Sequence, residues 1–136
     1  MIYERCRHKK ESGIILEKNK RRVGGIYEQK AAEFLQENGL VILERNFRCR
    51  QGEVDLIAKD GDYTVFVEVK YRRGRSAGDS LAAVHPAKQR AVGRVEVYYL
   101  WSHNGNTDCP CRFDVVGIDG KEIHWIKNAF EYVSGL

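Results

Sequence analysis

Two carboxylates and a lysine stand where their types and spacing could support phosphodiester hydrolysis. Asp55 lies in one alternating segment of the 136-residue chain, and Glu68 and Lys70 lie two residues apart in the next such segment. Alternate residues of a strand point to the same face of a sheet. Oxygen ligands favour Mg²⁺ or Mn²⁺, and such an ion activates water and stabilises a phosphate transition state. The pattern therefore predicts a divalent-metal site with a nearby lysine.

These residues are carried by a predicted hairpin, with strands at residues 53–59 and 63–71 around turn residues 60–62. We expect one face of the hairpin to be apolar and buried, and the other to carry Asp55 and Glu68. The apolar face is predicted to comprise Val54, Leu56, Ala58, Val65, Val67 and Val69. The acidic residues then share one face.

Two hairpin registers remain open. A turn that begins at Gly61 places Asp55 opposite Glu68, whereas a turn that begins at Asp60 places Glu53 opposite Glu68. Carboxylates roughly 5 Å apart across strands repel by on the order of 3 kcal/mol, which a bound cation would relieve. Either register therefore favours a metal ion.

The alternative is a solvated charge network on a half-exposed hairpin, in which Lys70 neutralises the acidic pair. Ile57 and Phe66 argue against it, because they make the same face apolar near the turn. The acidic residues are thus expected in a recess.

The remaining segments predict the elements that position this hairpin. Apolar spacing predicts a helix at residues 26–38, ended by Gly39, and a second helix that starts at Pro86 and runs to about residue 101. Further strands are predicted at residues 40–43, 113–118 and 122–126, and a loop at 72–78. The order of helix, three strands, helix and two strands indicates a mixed α/β domain.

Charge is unevenly distributed along the chain. Residues 1–22 carry eight Lys or Arg and three Glu, whereas the rest carries 15 Lys or Arg and 16 Asp or Glu. We expect residues 1–22 to be a basic, flexible tail and residues 23–136 to be a single domain whose folded part starts near Gly24 and Gly25. A role of the tail in attracting phosphates is the alternative.

Targeting signals and a cysteine framework are not apparent in the sequence. No apolar run has the length of a membrane helix, and the N-terminus has no apolar signal segment. The four cysteines lack the spacing of a zinc site, which favours free thiols. The expectation is a cytoplasmic protein without a membrane partner.

Asp55 and the Glu-Val-Lys run at 68–70 are similar to the D…(D/E)xK signature of restriction-endonuclease-like nucleases. Residues 24–114 resemble more closely the YraN family, small bacterial proteins assigned to that superfamily. Val54 stands where the name-giving proline of the signature would be. The matching stretches are residues 25–35, 46–48, 52–58, 65–70, 88–90 and 112–114.

The resemblance implies a restriction-endonuclease-like α/β core, with a mixed sheet of about five strands flanked by helices. It implies Asp55 and Glu68 as ligands of Mg²⁺ or Mn²⁺, with the Val69 carbonyl as a further ligand. Lys70 would be the catalytic lysine, and Glu28 on the first helix would join the site.

The implied function is a nuclease acting on nucleic acid, most naturally on branched, flapped or single-stranded DNA. The alternatives are a binding module with weak or no catalysis and a structural partner. A homodimer cannot be read from the sequence. Basic residues are expected to contact the nucleic-acid backbone, although each could instead be solvated surface. These are Arg72, Arg73, Arg75, Lys88 and Arg90.

Overall fold

Seven regular elements account for most of the chain. The computed structural model describes residues 13–72, 85–105 and 109–130. The elements are α1 (Gly13–Glu37), β1 (Val41–Cys49), β2 (Gly52–Asp60), β3 (Tyr63–Arg72), α2 (Pro86–Asn104), β4 (Cys111–Asp119) and β5 (Glu122–Phe130). This order confirms the predicted succession of helix, three strands, helix and two strands.

The five strands form one mixed sheet in the order β1-β2-β3-β4-β5. Neighbouring strands are antiparallel except β3 and β4, which are parallel and are joined through α2. A parallel pair needs such a crossover, because its strands begin at the same end of the sheet. The α/β class with a mixed five-stranded sheet between helices is confirmed.

Each face of the sheet is covered by one helix. Ala31, Ala32 and Leu35 of α1 pack with strand residues on one face. On the other face, α2 contributes Val92, Val95, Tyr99 and Leu100 to a second cluster. β2 and β3 therefore lie between two apolar layers, and a polar side chain placed there is shielded from water.

The first helix is longer than predicted. α1 begins at Gly13, so Gly24 and Gly25 lie inside the helix and do not precede it. The expected start at residue 26 was wrong because glycine costs only about 1 kcal/mol per residue in a helix, and good helix formers surround the pair. The helix does end as predicted, with Gly39 at φ 95°.

Both edge strands are also longer than predicted. β1 continues to Cys49 through alternately exposed charged residues, although residues 44–49 lack an apolar run. β5 continues to Phe130 across an irregularity at Asn128, where φ is 55°. Pairing with a neighbour decides these strands more than residue propensity does.

The hairpin adopts the first of the two registers. Asp60 pairs with Tyr63, so Gly61 and Asp62 form the turn, and Gly61 has a φ of 60°. Because Leu56 pairs with Val67, the alternative that would place Glu53 opposite Glu68 is excluded.

Two further expectations concern cysteines and membranes. Cys49, Cys109 and Cys111 are free thiols, as predicted, and Cys6 lies outside the described residues. Neither helix of the described part has the length and apolar content to span a membrane.

Candidate active site

The pairing of β2 with β3 ends where the acidic residues begin. The last paired residues are Leu56 and Val67. One step further, the carboxylate of Asp55 accepts a hydrogen bond from the backbone N–H of Val69 at 2.8 Å. In a regular antiparallel ladder, hydrogen-bonded pairs recur at every second residue, so the pair after Leu56 and Val67 would be Val54 and Val69. The Val69 N–H would then donate to the Val54 carbonyl. The two strands thus diverge beyond this pair. We call the point of divergence, between Asp55 of β2 and residues 68 and 69 of β3, the fork, and the Asp55 side chain bridges it.

The pleat of β2 is interrupted at the same point. Val54 packs with Ile57 and Phe66 against α2, so the prediction that it shares a face with Leu56 was wrong. Asn46 of β1, which lies opposite Asp55, has a φ of 52°. The alternation of faces in β2 is therefore interrupted at Asp55, beside a residue of β1 that has a left-handed backbone conformation.

Asp55 lies near two further carboxyl groups, those of Glu28 and Glu68, and the pKa of each of the three is raised. Burial is the largest cause for all of them. The pKa of Glu68 is raised to about 7, with the negative charge of Asp55 as the second cause. The same charge raises the pKa of Glu28, and Glu28 shares a hydrogen bond with Asp55 that favours Glu28 as the protonated donor. Burial and mutual repulsion therefore oppose the simultaneous ionisation of these groups, and added positive charge would favour it.

Glu28 reaches the cluster from α1, which is anchored to the sheet on either side of it. Tyr27 stacks on Tyr71 of β3, with ring centroids 4.3 Å apart. Gln29 accepts a hydrogen bond from Arg45 of β1. These contacts fix the helix face that presents Glu28 to Asp55, and the role of Glu28 in a site stays a prediction.

Two lysines oppose the acidic charge. Lys88 Nζ lies 3.6 Å from Glu68 Oε1, and its charge lowers the pKa of both Glu68 and Asp55. Lys70, half-buried on β3, also lowers the pKa of Glu68. Lys88 was predicted to contact the nucleic-acid backbone, but its nearest anionic partner within the protein is a site carboxylate.

The other basic residues predicted to bind nucleic acid are only partly covered by the described structure. Arg90 is exposed on the first part of α2, and Arg72 ends β3. Arg73 and Arg75 lie outside the described residues. Their contact with the nucleic-acid backbone remains a prediction.

The oxygen-rich fork fits a divalent cation of the Mg²⁺ type. An N–H and a C=O of one residue point to the same side of a strand, so the Val69 carbonyl faces the fork beside Asp55. No three His, Cys, Asp or Glu side chains of residues 13–72, 85–105 and 109–130 form a ready metal cage. Mg²⁺ does not need one, because it commonly takes one or two carboxylates and completes its shell with water and phosphate.

An open groove leads to the fork between α1 and the first two strands. Its volume is ≈ 480 Å³. It is lined by Gly24, Gly25, Glu28, Asn46, Arg48, Glu53 and Asp55. Sequence reasoning missed Asn46, which hydrogen-bonds Glu28, and Arg48 on the groove wall. The only signal for them was the Asn-Phe-Arg stretch at 46–48, which carries no mechanism by itself.

Comparison with known proteins supports the resemblance seen in the sequence. The profile of "Uncharacterised protein family UPF0102" matches residues 27–118, which is more than half of the chain. A UPF0102 protein of Nitrosomonas eutropha is 48% identical over 109 residues, covering 79% of this chain and 92% of that protein. One of Alkalilimnicola ehrlichii is 47% identical over 103 residues, covering 76% and 82%. The chain therefore belongs to the UPF0102 family, which is the YraN family.

Proposed function

We propose that this chain is a Mg²⁺- or Mn²⁺-dependent nuclease that hydrolyses phosphodiester bonds of DNA. The observation that carries the proposal is the buried acidic fork, where the charge of Asp55 helps to raise the pKa of Glu68 to about 7. Close-packed ionisable groups with perturbed pKa values at the end of a groove are typical of functional sites. A structural hairpin would gain nothing from burying these charges.

The metal would be held by Asp55, Glu68 and the Val69 carbonyl. When bound, it would lower the pKa of a coordinated water and neutralise charge on the phosphate. Asp55 is fixed for this role by the hydrogen bond from Val69 N–H. Metal binding requires ionised carboxylates, so the proton shared by Glu28 and Asp55 must leave the Asp55 oxygen that would bind the ion.

Lys70 acts on the attacking water and on the phosphate. It lies on the same strand as Glu68, two residues further along, and therefore faces the same side. Its ammonium orients the water and offsets the charge that develops on the phosphate oxygens. In the reaction a water oxygen bonds to phosphorus, the bond to one ester oxygen breaks, and that oxygen takes up a proton.

Lys88 has a second role in the unloaded site. It pairs with Glu68 and compensates part of the acidic charge. Occupation by a cation would replace that compensation and leave Lys88 available to a phosphate at the first turn of α2. Its predicted contact with the nucleic-acid backbone would then form only in the loaded enzyme.

The substrate proposed is DNA with single-stranded character, such as a flap, a branch or a free strand. The groove is small, and the described residues contain no motif that reads base edges. Arg48 and Arg90 supply exposed positive charge, which binds phosphates without regard to sequence. A binding module with weak catalysis is the second candidate, favoured by the ion pair of Lys88 that competes with a metal at Glu68.

A panel of labelled flap, junction and single-stranded DNAs tests the proposal. Each DNA is incubated with the protein and Mg²⁺ or Mn²⁺, beside Lys70→Ala and the matched control Lys121→Ala on an exposed turn. We expect cleavage by the wild type and the control, and none by Lys70→Ala. Absence of cleavage on every substrate with both metals would reject the enzyme and leave the binding module.

Metal binding is tested separately by thermal denaturation. Mn²⁺ should raise the melting temperature of the wild type and of Lys70→Ala, because neither lacks a ligand. It should leave that of Asp55→Asn unchanged. A shift of equal size in Asp55→Asn would place the ion elsewhere.

A further inference from the structure

Gly24 and Gly25 lie side by side in the interior of α1, where glycine is the poorest helix former apart from proline. Neither has a positive φ, so the backbone does not require glycine at these positions. A Cβ built on either would meet no heavy atom within 4 Å, so packing does not require it. Gly52 is different, with a φ of 146° and a Cβ position 3.4 Å from Val95. Nothing within the described structure explains the two helical glycines.

What the two glycines share is their place on the wall of the groove. The groove of ≈ 480 Å³ leads from them to Glu28 and Asp55. This volume is within the roughly 300–1,000 Å³ range of ligand-binding sites. It is too small to enclose a duplex. The missing side chains therefore widen the access to the acidic fork.

Arg48 supplies the charge that such an access needs. Its side chain is 74% exposed and lies 3.9 Å from Glu53 on the groove wall. An exposed ion pair at this distance contributes little, so Arg48 can exchange Glu53 for a phosphate at small cost. The other charged residues of the wall, Glu28, Glu53 and Asp55, are acidic, and an anion without a cation would be repelled from them.

We propose that a single nucleic-acid strand enters through this groove, with its sugar-phosphate backbone packed against Gly24 and Gly25 and one phosphate bound by Arg48. The inference rests on the proposed nuclease function and adds the route and the binding residues of the substrate. Glycine permits a close approach of a ligand to the backbone that any side chain would block. The two glycines thus lower the stability of α1 at the point where the nucleic-acid strand would pass.

Opposite effects on stability and binding test this route. The double variant Gly24→Ala/Gly25→Ala should melt roughly 8 °C higher than the wild type, because alanine is the better helix former at both positions. Gly25→Leu should bind labelled oligothymidylate roughly ten- to a hundredfold more weakly, the range that overpacking a fitted contact costs. Binding is measured by fluorescence anisotropy with Ca²⁺ in place of Mg²⁺, so that any cleavage does not interfere.

Three comparisons keep the test specific. Gln36→Leu places the same leucine side chain on an exposed part of α1 outside the groove and should bind like the wild type. Gly25→Leu should keep the Mn²⁺-dependent thermal shift, which shows an intact fork. Arg48→Gln should reduce the dependence of log affinity on log salt by about one phosphate contact.

The outcomes separate the route from the function. Unchanged oligothymidylate binding by Gly25→Leu, with cleavage by the wild type, would overturn the route and leave the nuclease proposal standing. A lower melting temperature of the double alanine variant would assign the glycines a structural role and overturn their part in the route. A wild type that neither binds nor cleaves any DNA would overturn both proposals.

Discussion

The carboxylate of Asp55 and the backbone N–H of Val69 form a 2.8 Å hydrogen bond across the point where β2 and β3 separate. A side chain thus takes the place of a backbone carbonyl in the ladder. This hydrogen bond holds the Asp55 side chain in one orientation. The Val69 carbonyl faces the same side of the strand, toward Asp55. A site built on strands in this way is positioned before any ligand arrives.

Substitutions of Asp55 should separate its structural role from its ligand role. Asp55→Asn keeps an oxygen that can accept the Val69 N–H, and it removes a charge from a crowded acidic cluster. We expect its stability at pH 8 to equal or exceed that of the wild type. Asp55→Ala leaves the N–H without its partner and should cost about 1–3 kcal/mol. Urea denaturation measures both, and equal losses of stability in the two variants would contradict this division.

The pH dependence of stability should carry the signature of Glu68. Its pKa is raised from 4.5 to about 7 in the folded protein, so the folded state binds more protons than the unfolded state between these values. The stability that this group contributes is complete below pH 4.5 and is lost as the pH rises through about 7. The loss is on the order of 3–4 kcal/mol at most, since a unit of pKa shift corresponds to about 1.4 kcal/mol.

Glu68→Gln provides the control for this titration. It cannot ionise, so its stability should fall less than that of the wild type between pH 5 and pH 8 in chelator (about the interval set by the two pKa values). Denaturant titrations at several pH values measure the difference. Parallel curves for wild type and variant would show that Glu68 does not titrate in this interval.

Lys88 should hold the unloaded site together at the expense of metal affinity. Lys88→Met removes the cation 3.6 Å from Glu68. Without metal at pH 8 the variant should be less stable by about 1 kcal/mol, a modest value because the pair is partly exposed. Its affinity for Mn²⁺ should rise by roughly fivefold, because the ion no longer competes with an ammonium. Calorimetric titration measures the affinity, and a weaker affinity than in the wild type would make Lys88 a helper of metal binding.

Sequence patterns predicted the hairpin, its register options and the acidic pair, because β-sheet alternation is a local property. They did not predict that Val54 leaves the face of Leu56, or that the neighbouring strand has a left-handed residue, Asn46, beside this point. The ion pair of Lys88 was also missed, since α2 is joined to β3 by a crossover whose geometry no local pattern specifies. Contacts between distant elements therefore marked the limit of sequence reasoning.

Asp114 should prove structural, although it lies in a stretch that resembles the nuclease family. It is fully buried and accepts hydrogen bonds from the Arg112 side chain, from Trp125 Nε1 at 2.9 Å and from the backbone N–H of Asn128 at 2.9 Å. Asp114→Asn would leave Arg112 with Asp60 as its remaining anionic partner and would place an amide group against donors. Removing one partner of a buried ion pair typically costs about 3–5 kcal/mol.

The variant should therefore unfold at much lower urea, while the Mn²⁺ affinity of its folded fraction stays that of the wild type. Arg112→Lys serves as the matched variant, because it keeps the charge but loses the forked contact with Asp114 and should be destabilised less than Asp114→Asn. Loss of Mn²⁺ affinity in folded Asp114→Asn would mean that Asp114 of β4 contributes to the metal site. Asp114 lines a small cavity with Glu68 and Lys88, but its carboxylate is occupied by the hydrogen bonds from Trp125 and Asn128 that tie β4 to β5.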